Sequence, residues 1–429
     1  MNNNLLKFIE NSPTAFHAVE NVKAELKALG FVELCEGKSW NIECGKGYFV
    51  SRNNSSFIAF KVPEGDFNGF MIAASHSDSP CFKIKENPEL KDKFYLRLGV
   101  EKYGGMIDNT WLDRPLGLAG RVLVKTESGV LTKLVDFKEP CAIIPNVAIH
   151  LNRKANEGVS LNAAVDLIPV VATAKDENKG FLTAVADKAD VNEADILSSD
   201  LFLYNFEKGR EWGDFVSAPR LDDLQCVFAS INAFKNSDVK LSMPVLAVFD
   251  NEEVGSSTKQ GADSTFMSFV LKKVSYALGL NEADFADKIA GSLLLSCDNA
   301  HGVHPNHSEM TDSNHQCKLN GGVVIKYNAN QTYCTDGMSA AILKRICENA
   351  DVPTQAYTNR ADIRGGSTLG NIANTQLSML SADIGLAQFA MHSSFETAGS
   401  KDTEYMVKLL KAFFESALKV KADGEYEVI

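Results

Sequence analysis

Residues 245–256 read VLAVFDNEEVGS: five apolar residues in a row, then four polar ones, three of them acidic. Continuous rather than alternating hydrophobicity reads as a strand covered on both faces, as in a sheet sandwiched by helices. Acids crowded at the end of such a strand are costly unless something positive faces them. A solvated loop is the plain alternative. The other reading gives one glutamate a metal and its neighbour a proton-transfer position, because adjacent side chains point different ways.

Working outward, similar apolar runs stand at 57–60, 71–74, 293–295 and 323–325. Helical spacing appears at the start, around Leu5, Leu6, Phe8 and Ile9, and again over 14–29 with Phe16, Val19, Val22, Leu26 and Leu29 on one side. Further helices are expected over 223–236, 264–278 and 338–350. Residues 93–214 break this α/β alternation with short strand-like pieces and many turn residues. They are expected to form an inserted β-rich domain, leaving a discontinuous catalytic domain over 1–92 and 215–429.

The chain has 429 residues and a net charge of -12, without a Lys/Arg cluster, which argues against nucleic acid. No apolar run approaches a membrane span, and no secretory leader is read, so a cytoplasmic location is expected. Nine scattered cysteines without a C-x-x-C pair fit reduced thiols acting as small core hydrophobes.

The acid-after-strand pattern recurs. His76 follows the 71–75 run with Asp78 two residues on, Asp298 follows 293–297, and His392 follows 386–391. Asp222 opens a helix in PRLDD, where the plain alternative is an N-cap. Imidazole and carboxylate ligands without thiolate suit zinc, cobalt or manganese. Two histidines and three carboxylates can hold two metals if one carboxylate bridges them, with a further carboxylate as general base.

These residues stand in NSPTAFHAV (11–19), SHSDSPCFKIK (75–85), WLDRPLGLAG (111–120), IPNVAIHLNR (144–153), APRLDDL (218–224), DNEEVGS (250–256), DNAHGVHPNH (298–307) and AMHSSFE (390–396). In that order, over essentially the full length, the chain resembles the M18 aminopeptidases, the aspartyl aminopeptidase family. The resemblance implies that His76, Asp222 and Asp298 hold one divalent ion and that Asp222, Glu253 and His392 hold a second. Both ions are expected to be zinc, with cobalt or manganese as alternatives. It implies Glu252 as general base, Asp78 as the group orienting His76, and His150 reaching a neighbouring subunit's substrate, with a metal role as the other option. His301, His304 and His307 are expected to shape a loop without binding metal. Lys326 matches the lysine that meets an acidic N-terminal side chain. NRADIRGGSTLG (359–370) resembles the substrate-binding loop through Gly366 and Ser367, but departs at Ala361 and Arg364. The implied substrates are short peptides with a free N-terminus. The implied assembly is a dimer built by the inserted domain and, from dimers, a tetrahedral dodecamer. Rival readings are a two-metal N-acyl amino acid deacylase or carboxypeptidase, and a catalytically silent assembly protein.

Overall fold

A computed structural model describes residues 1–175 and 179–429. Its centre is a nine-stranded mixed sheet. In spatial order the strands are Val32–Leu34, Gly47–Arg52, Ser56–Lys61, Met243–Phe249, Phe70–His76, Leu293–Cys297, Leu380–Gly385, Val323–Lys326 and Thr354–Tyr357. The four from Met243–Phe249 to Leu380–Gly385 run parallel to their neighbours within that group, so their C-terminal ends open on one edge.

The unbroken apolar runs have the predicted cause, which is burial on both faces. Along Phe70–His76, Met71 and Ala73 enter one core, while Phe70, Ile72 and Ala74 enter the other. Leu246 and Val248 point with the first set, and Val245, Ala247 and Phe249 with the second. Helices Ala15–Ala28, Leu221–Lys235, Gly337–Asn349 and Asp402–Phe414 supply the first layer through residues such as Val22, Phe234, Leu343 and Leu410. Phe266–Ala277 covers the second with Phe266, Met267, Val270, Leu271 and Val274, an apolar stripe at helical spacing. Each such side chain contributes about 1.5–3 kcal/mol of burial.

A separate six-stranded antiparallel sheet holds its own core around Phe82, Leu98, Leu118 and Leu203. It begins at Cys81 rather than near residue 93, because Cys81–Lys91 pairs with both Tyr95–Tyr103 and Ile196–Asn205. The outer half of Cys81–Lys91 is largely exposed, so it offers little apolar signal in sequence. At the other limit, Arg210–Trp212 pairs outside this sheet, with Phe215–Ala218. A third sheet of five short strands includes the hairpin Ala387–Phe389 and Glu396–Gly399, whose turn carries His392.

The cysteines divide. Cys226, Cys297, Cys317 and Cys347 are buried as expected, but Cys35 and Cys44 are exposed on loops, which corrects the uniform core reading. Among the described residues no disulfide forms and no helix is long and apolar enough to cross a membrane.

Candidate metal centre

Three parallel strands deliver acids or imidazole to the same edge of the central sheet, the place where open α/β sheets set their sites. His76 is the last residue of its strand, Glu252 and Glu253 follow the next strand, and Asp298 follows Leu293–Cys297. Asp222 comes from a kink at the start of Leu221–Lys235, where it and Asp223 have non-helical backbone angles, and among the described residues its side chain makes no capping hydrogen bond. The fifth group, His392, arrives from the third sheet.

These five side chains converge. Asp222 Oδ1 lies 3.4 Å from His76 Nε2, and Asp298 Oδ1 lies 3.8 Å from the same nitrogen. Asp222 Oδ2 lies 3.7 Å from His392 Nε2, which is 3.3 Å from Glu253 Oε2. Asp222 therefore turns one oxygen to each of two donor sets, His76–Asp222–Asp223–Asp298 and Asp222–Glu253–His392, each with ligand atoms within 4.8 Å of one another.

Sequence reasoning missed Asp223, which reads like any acid in a helix's first turn. It is fully buried, and its Oδ2 accepts the His76 main-chain N–H at 3.1 Å. Also missed was Gly105, whose carbonyl takes His392 Nδ1 at 2.6 Å. Gly105 lies in the connection between Tyr95–Tyr103 and Leu116–Lys125, two strands of the six-stranded sheet, and bears no local sign of the role. Beside it, Gly104 has φ +76, and a Cβ there would come within 3.1 Å of Glu253 Cβ, so only glycine fits comfortably. Asn251, Arg220 and His392 also carry positive φ, near +60, which gathers strained backbone at the centre.

Asp78 stands behind His76, whose Nδ1 is 3.1 Å from the Asp78 carbonyl and 3.4 Å from its carboxylate. The carboxylate also accepts the main-chain N–H groups of Glu252 and Glu253 and the Tyr103 hydroxyl. It thus fixes the imidazole and the Glu-Glu turn together.

The electrostatics favour a cation. Burial pushes the Glu253 and Asp223 carboxyls well above their ordinary range, and the charge of Asp222 adds to both shifts. Glu252 is pushed up to about 8 by burial and then by Asp298, Asp78 and Asp222, against an opposing effect from His76. Burial also acts to raise Asp298, but Lys326 and His76 outweigh it and hold that carboxyl low. Asp222 Oδ1, Asp223 Oδ1 and Glu253 Oε1 are buried without a hydrogen-bond partner. Hard oxygens and two imidazoles, orphaned toward common points, fit divalent cations well.

A cavity of about 190 Å³ opens on the centre, lined by His76, Glu252, Lys326, Gly366, Ser367 and His392 among others. Lys326 is buried rather than solvated; its Nζ lies 3.3 Å from Asp298 Oδ2 and 5.6 Å from the Tyr333 ring centroid. His301 lines this cavity but joins neither donor set, while His304 and His307 are exposed. His150 is exposed on a turn of the insert and belongs to neither set.

A family model described as aminopeptidase I zinc metalloprotease (M18) matches residues 8–414. A probable M18 family aminopeptidase 2 from Clostridium novyi (strain NT) is 46% identical over 423 residues, covering 96% of this chain and 98% of the relative. Among solved structures, a chain of the cryo-EM complex of Ape4 and Nbr1 superposes with a TM-score of 0.93 at 37% identity, over 96% of this chain and 85% of the other. The mApe1 dodecamer of S. cerevisiae gives 0.83 at 28% identity, over 96% of each chain.

Proposed function

This chain belongs to the M18 family of zinc aminopeptidases, and we propose on that basis that it removes the N-terminal residue from short peptides using two divalent ions, zinc in the first place. The observation that carries the reading is Asp222, which offers separate oxygens to two donor sets whose remaining buried oxygens lack partners. His76, Asp222 and Asp298 would hold one ion, and Asp222, Glu253 and His392 the other, with Asp223 buttressing the first set. Bound ions would supply Lewis acidity toward the scissile carbonyl and toward water.

The chain's own residues do the rest. Glu252 lines the cavity without joining either set, so its carboxylate is free to take a proton from the attacking water and return it to the leaving amine. Asp78 keeps the His76 Nε2 lone pair aimed at the ion by holding the opposite edge of the ring. Gly105 does the same for His392.

We assign the acidic preference to Lys326, with Gly366 and Ser367 shaping the pocket floor. The ion pair with Asp298 favours a second reading, in which Lys326 holds a ligand instead of reading substrate. A panel of N-terminal Asp, Glu, Leu, Lys and Met peptides tests both the activity and the preference. In the first reading, Lys326→Ala lowers kcat/KM on Asp and Glu peptides at least about tenfold more than on Leu peptides. Equal losses move Lys326 to the second role, and no cleavage of any unblocked peptide by zinc-loaded protein sinks the aminopeptidase reading.

We further assign residues 93–214, with the Cys81–Lys91 strand, to self-association. Val147, Ile149, Leu151, Val159 and Val165 are exposed apolar side chains on one stretch of it, which suits a subunit contact. Exposed His150 lies in the same stretch, placed to reach a neighbour's cavity. Assembly into a dodecamer is proposed by likeness to the yeast mApe1 dodecamer. Nine free cysteines suit a reducing compartment, and we place the protein in the cytoplasm.

A further inference from the structure

Behind the centre lies a second cavity of about 350 Å³, walled by the start of Ala15–Ala28, by the six-stranded sheet and by the Asp250–Asn251 turn. It shares no lining residue with the 190 Å³ cavity in front, and its volume is within the range that holds small ligands.

Its wall sets three basic side chains, Lys83, Arg121 and Arg220, beside three acidic ones, Asp78, Asp200 and Asp250, and among the described residues only Asp200 is ion-paired with them. Lys83 and Arg121 both close on Asp200, each at 2.9 Å, so one carboxylate serves two cations. Among the described residues Arg220 makes no ion pair: its guanidinium donates to the carbonyls of Asn205 and Ile9 and lies 5.2 Å from the Tyr204 ring centroid. The two other acids on the wall are engaged. Asp78 accepts from Tyr103, Glu252 and Glu253, and Asp250 accepts the Asn251 N–H at 2.8 Å. A guanidinium with N–H groups to spare is matched by a carboxylate, whose two oxygens fit its fork. Among small and polar residues the wall also carries three aromatic rings, Phe16, Tyr103 and Phe202. Phe16 lies under the Arg121 guanidinium at 4.3 Å, and Phe202 meets the Tyr103 ring edge-on at 5.8 Å.

We propose that this rear cavity binds a small monocarboxylate with an apolar body, its carboxylate on Arg220 and its body against Phe16 and Phe202, and that its occupation is felt at the centre through Tyr103. The Tyr103 hydroxyl donates to Asp78 Oδ2 at 2.7 Å and accepts from Asn251 Nδ2 at 2.8 Å. Asp78 in turn braces His76 and the Glu252–Glu253 turn. A ligand that displaces the Tyr103 ring therefore shifts the general base relative to the donor sets. Binding is independent of the proposed reaction. The coupling rests on the roles given above to His76 and Glu252.

The probe is 3-phenylpropionate, titrated by calorimetry into the zinc-loaded full chain with an amino-acid hydroxamate saturating the front cavity. One saturable site per subunit is expected, filling below about 10 mM. Ala15→Phe, which fills the rear cavity, should abolish that binding and make turnover insensitive to the probe. Arg220→Met should weaken it about tenfold or more, and if that variant fails to fold, Ala15→Phe alone decides. Absence of saturable heat, heat that vanishes once the hydroxamate is bound, or binding unchanged in Ala15→Phe overturns the site. In turnover assays without hydroxamate the probe should lower kcat about twofold or more at constant KM. A rise in KM alone, or an unchanged kcat beside intact binding, overturns the coupling. A chain that binds the probe but cleaves no peptide defeats the proposed function and not the site.

Discussion

At the head of Asp402–Phe414 a buried aspartate gives both oxygens to the main chain: Asn320 N–H donates to one at 2.7 Å and Gly322 N–H to the other at 3.2 Å. At the ends of the central strands three buried carboxylates, Asp222, Asp223 and Glu253, each keep an oxygen with no donor. Both regions take charge out of water, which is unfavourable in each. Around Asp402 the chain itself compensates. Around Asp222 it does not, and among the described residues the one lysine ammonium ion-paired in the cluster, that of Lys326, is recorded against Asp298. A carboxylate satisfied by the fold is part of the fold, whereas a group of unsatisfied ones is a receptor for something outside it.

Glu252 gives the largest expected effect. It sits in the cavity but in neither donor set, so Glu252→Gln should reduce kcat about 10³-fold while zinc content stays at the wild-type value. Single-turnover assays with metal analysis on the same sample read both quantities. Loss of zinc in parallel would make Glu252 a ligand and erase the distinction between receptor and base.

Chelation attacks the comparison directly. Without cations the strand-end acids have only two imidazoles and Lys326 to offset their crowding, so the chelated chain should lose about 3 kcal/mol or more, seen as a lowered Tm that zinc restores. The loss should deepen with pH. Glu252 is pushed up to about 8, burial first and neighbouring carboxylates next. A carboxyl raised above its unfolded value of about 4.5 contributes stability below that value and loses it as pH rises through the folded one. Chelated protein should therefore melt higher at pH 6 than at pH 8.5. A Tm indifferent to chelator would mean that shared protons already satisfy the cluster.

How much of this was legible in the sequence follows from where each signal resides. The strands of the central sheet are written in consecutive residues such as 245–249 and 71–74, because two-sided burial demands uninterrupted apolar side chains. The acids at their ends were legible because charge beside such a run is expensive. Asp223, Gly105 and Tyr103 were not, since their roles come from contacts 147, 287 and 25 residues away, which leave no local pattern. The start of the second sheet was misplaced for a related reason: the exposed half of Cys81–Lys91 is a strand by pairing, without an apolar face to announce it. Lys326 was singled out only by the family resemblance, and nothing local in the sequence announces its burial against Asp298.

On the other side of the comparison, Asp402→Ala strips acceptors from the Asn320 and Gly322 N–H groups. Two main-chain donors left without partners should cost about 2 kcal/mol in denaturant unfolding, without change in zinc content or kcat. If zinc binding fell as well, the two kinds of carboxylate would not be separable.

His17 provides the smallest effect and a third way of handling a titratable group, which is to keep it neutral. Burial, aided by Lys138 and Arg220 and opposed by Asp136, pulls its imidazole down to about 4, with Nδ1 2.9 Å from Thr14 Oγ1. In the unfolded chain the same ring titrates near 6.5, so between the two values the unfolded state binds more protons. Its contribution to stability is whole above about 6.5 and drains away as pH falls through 4. Because the ring is only partly shielded, the loss between pH 7 and pH 5 should be roughly 1 kcal/mol. His17→Gln has no proton to gain, so its unfolding midpoint should change less across that interval than the wild type's. Parallel pH profiles for the two proteins would show that the ring is already charged in the fold, and that burial beside the second cavity is looser than its walls indicate.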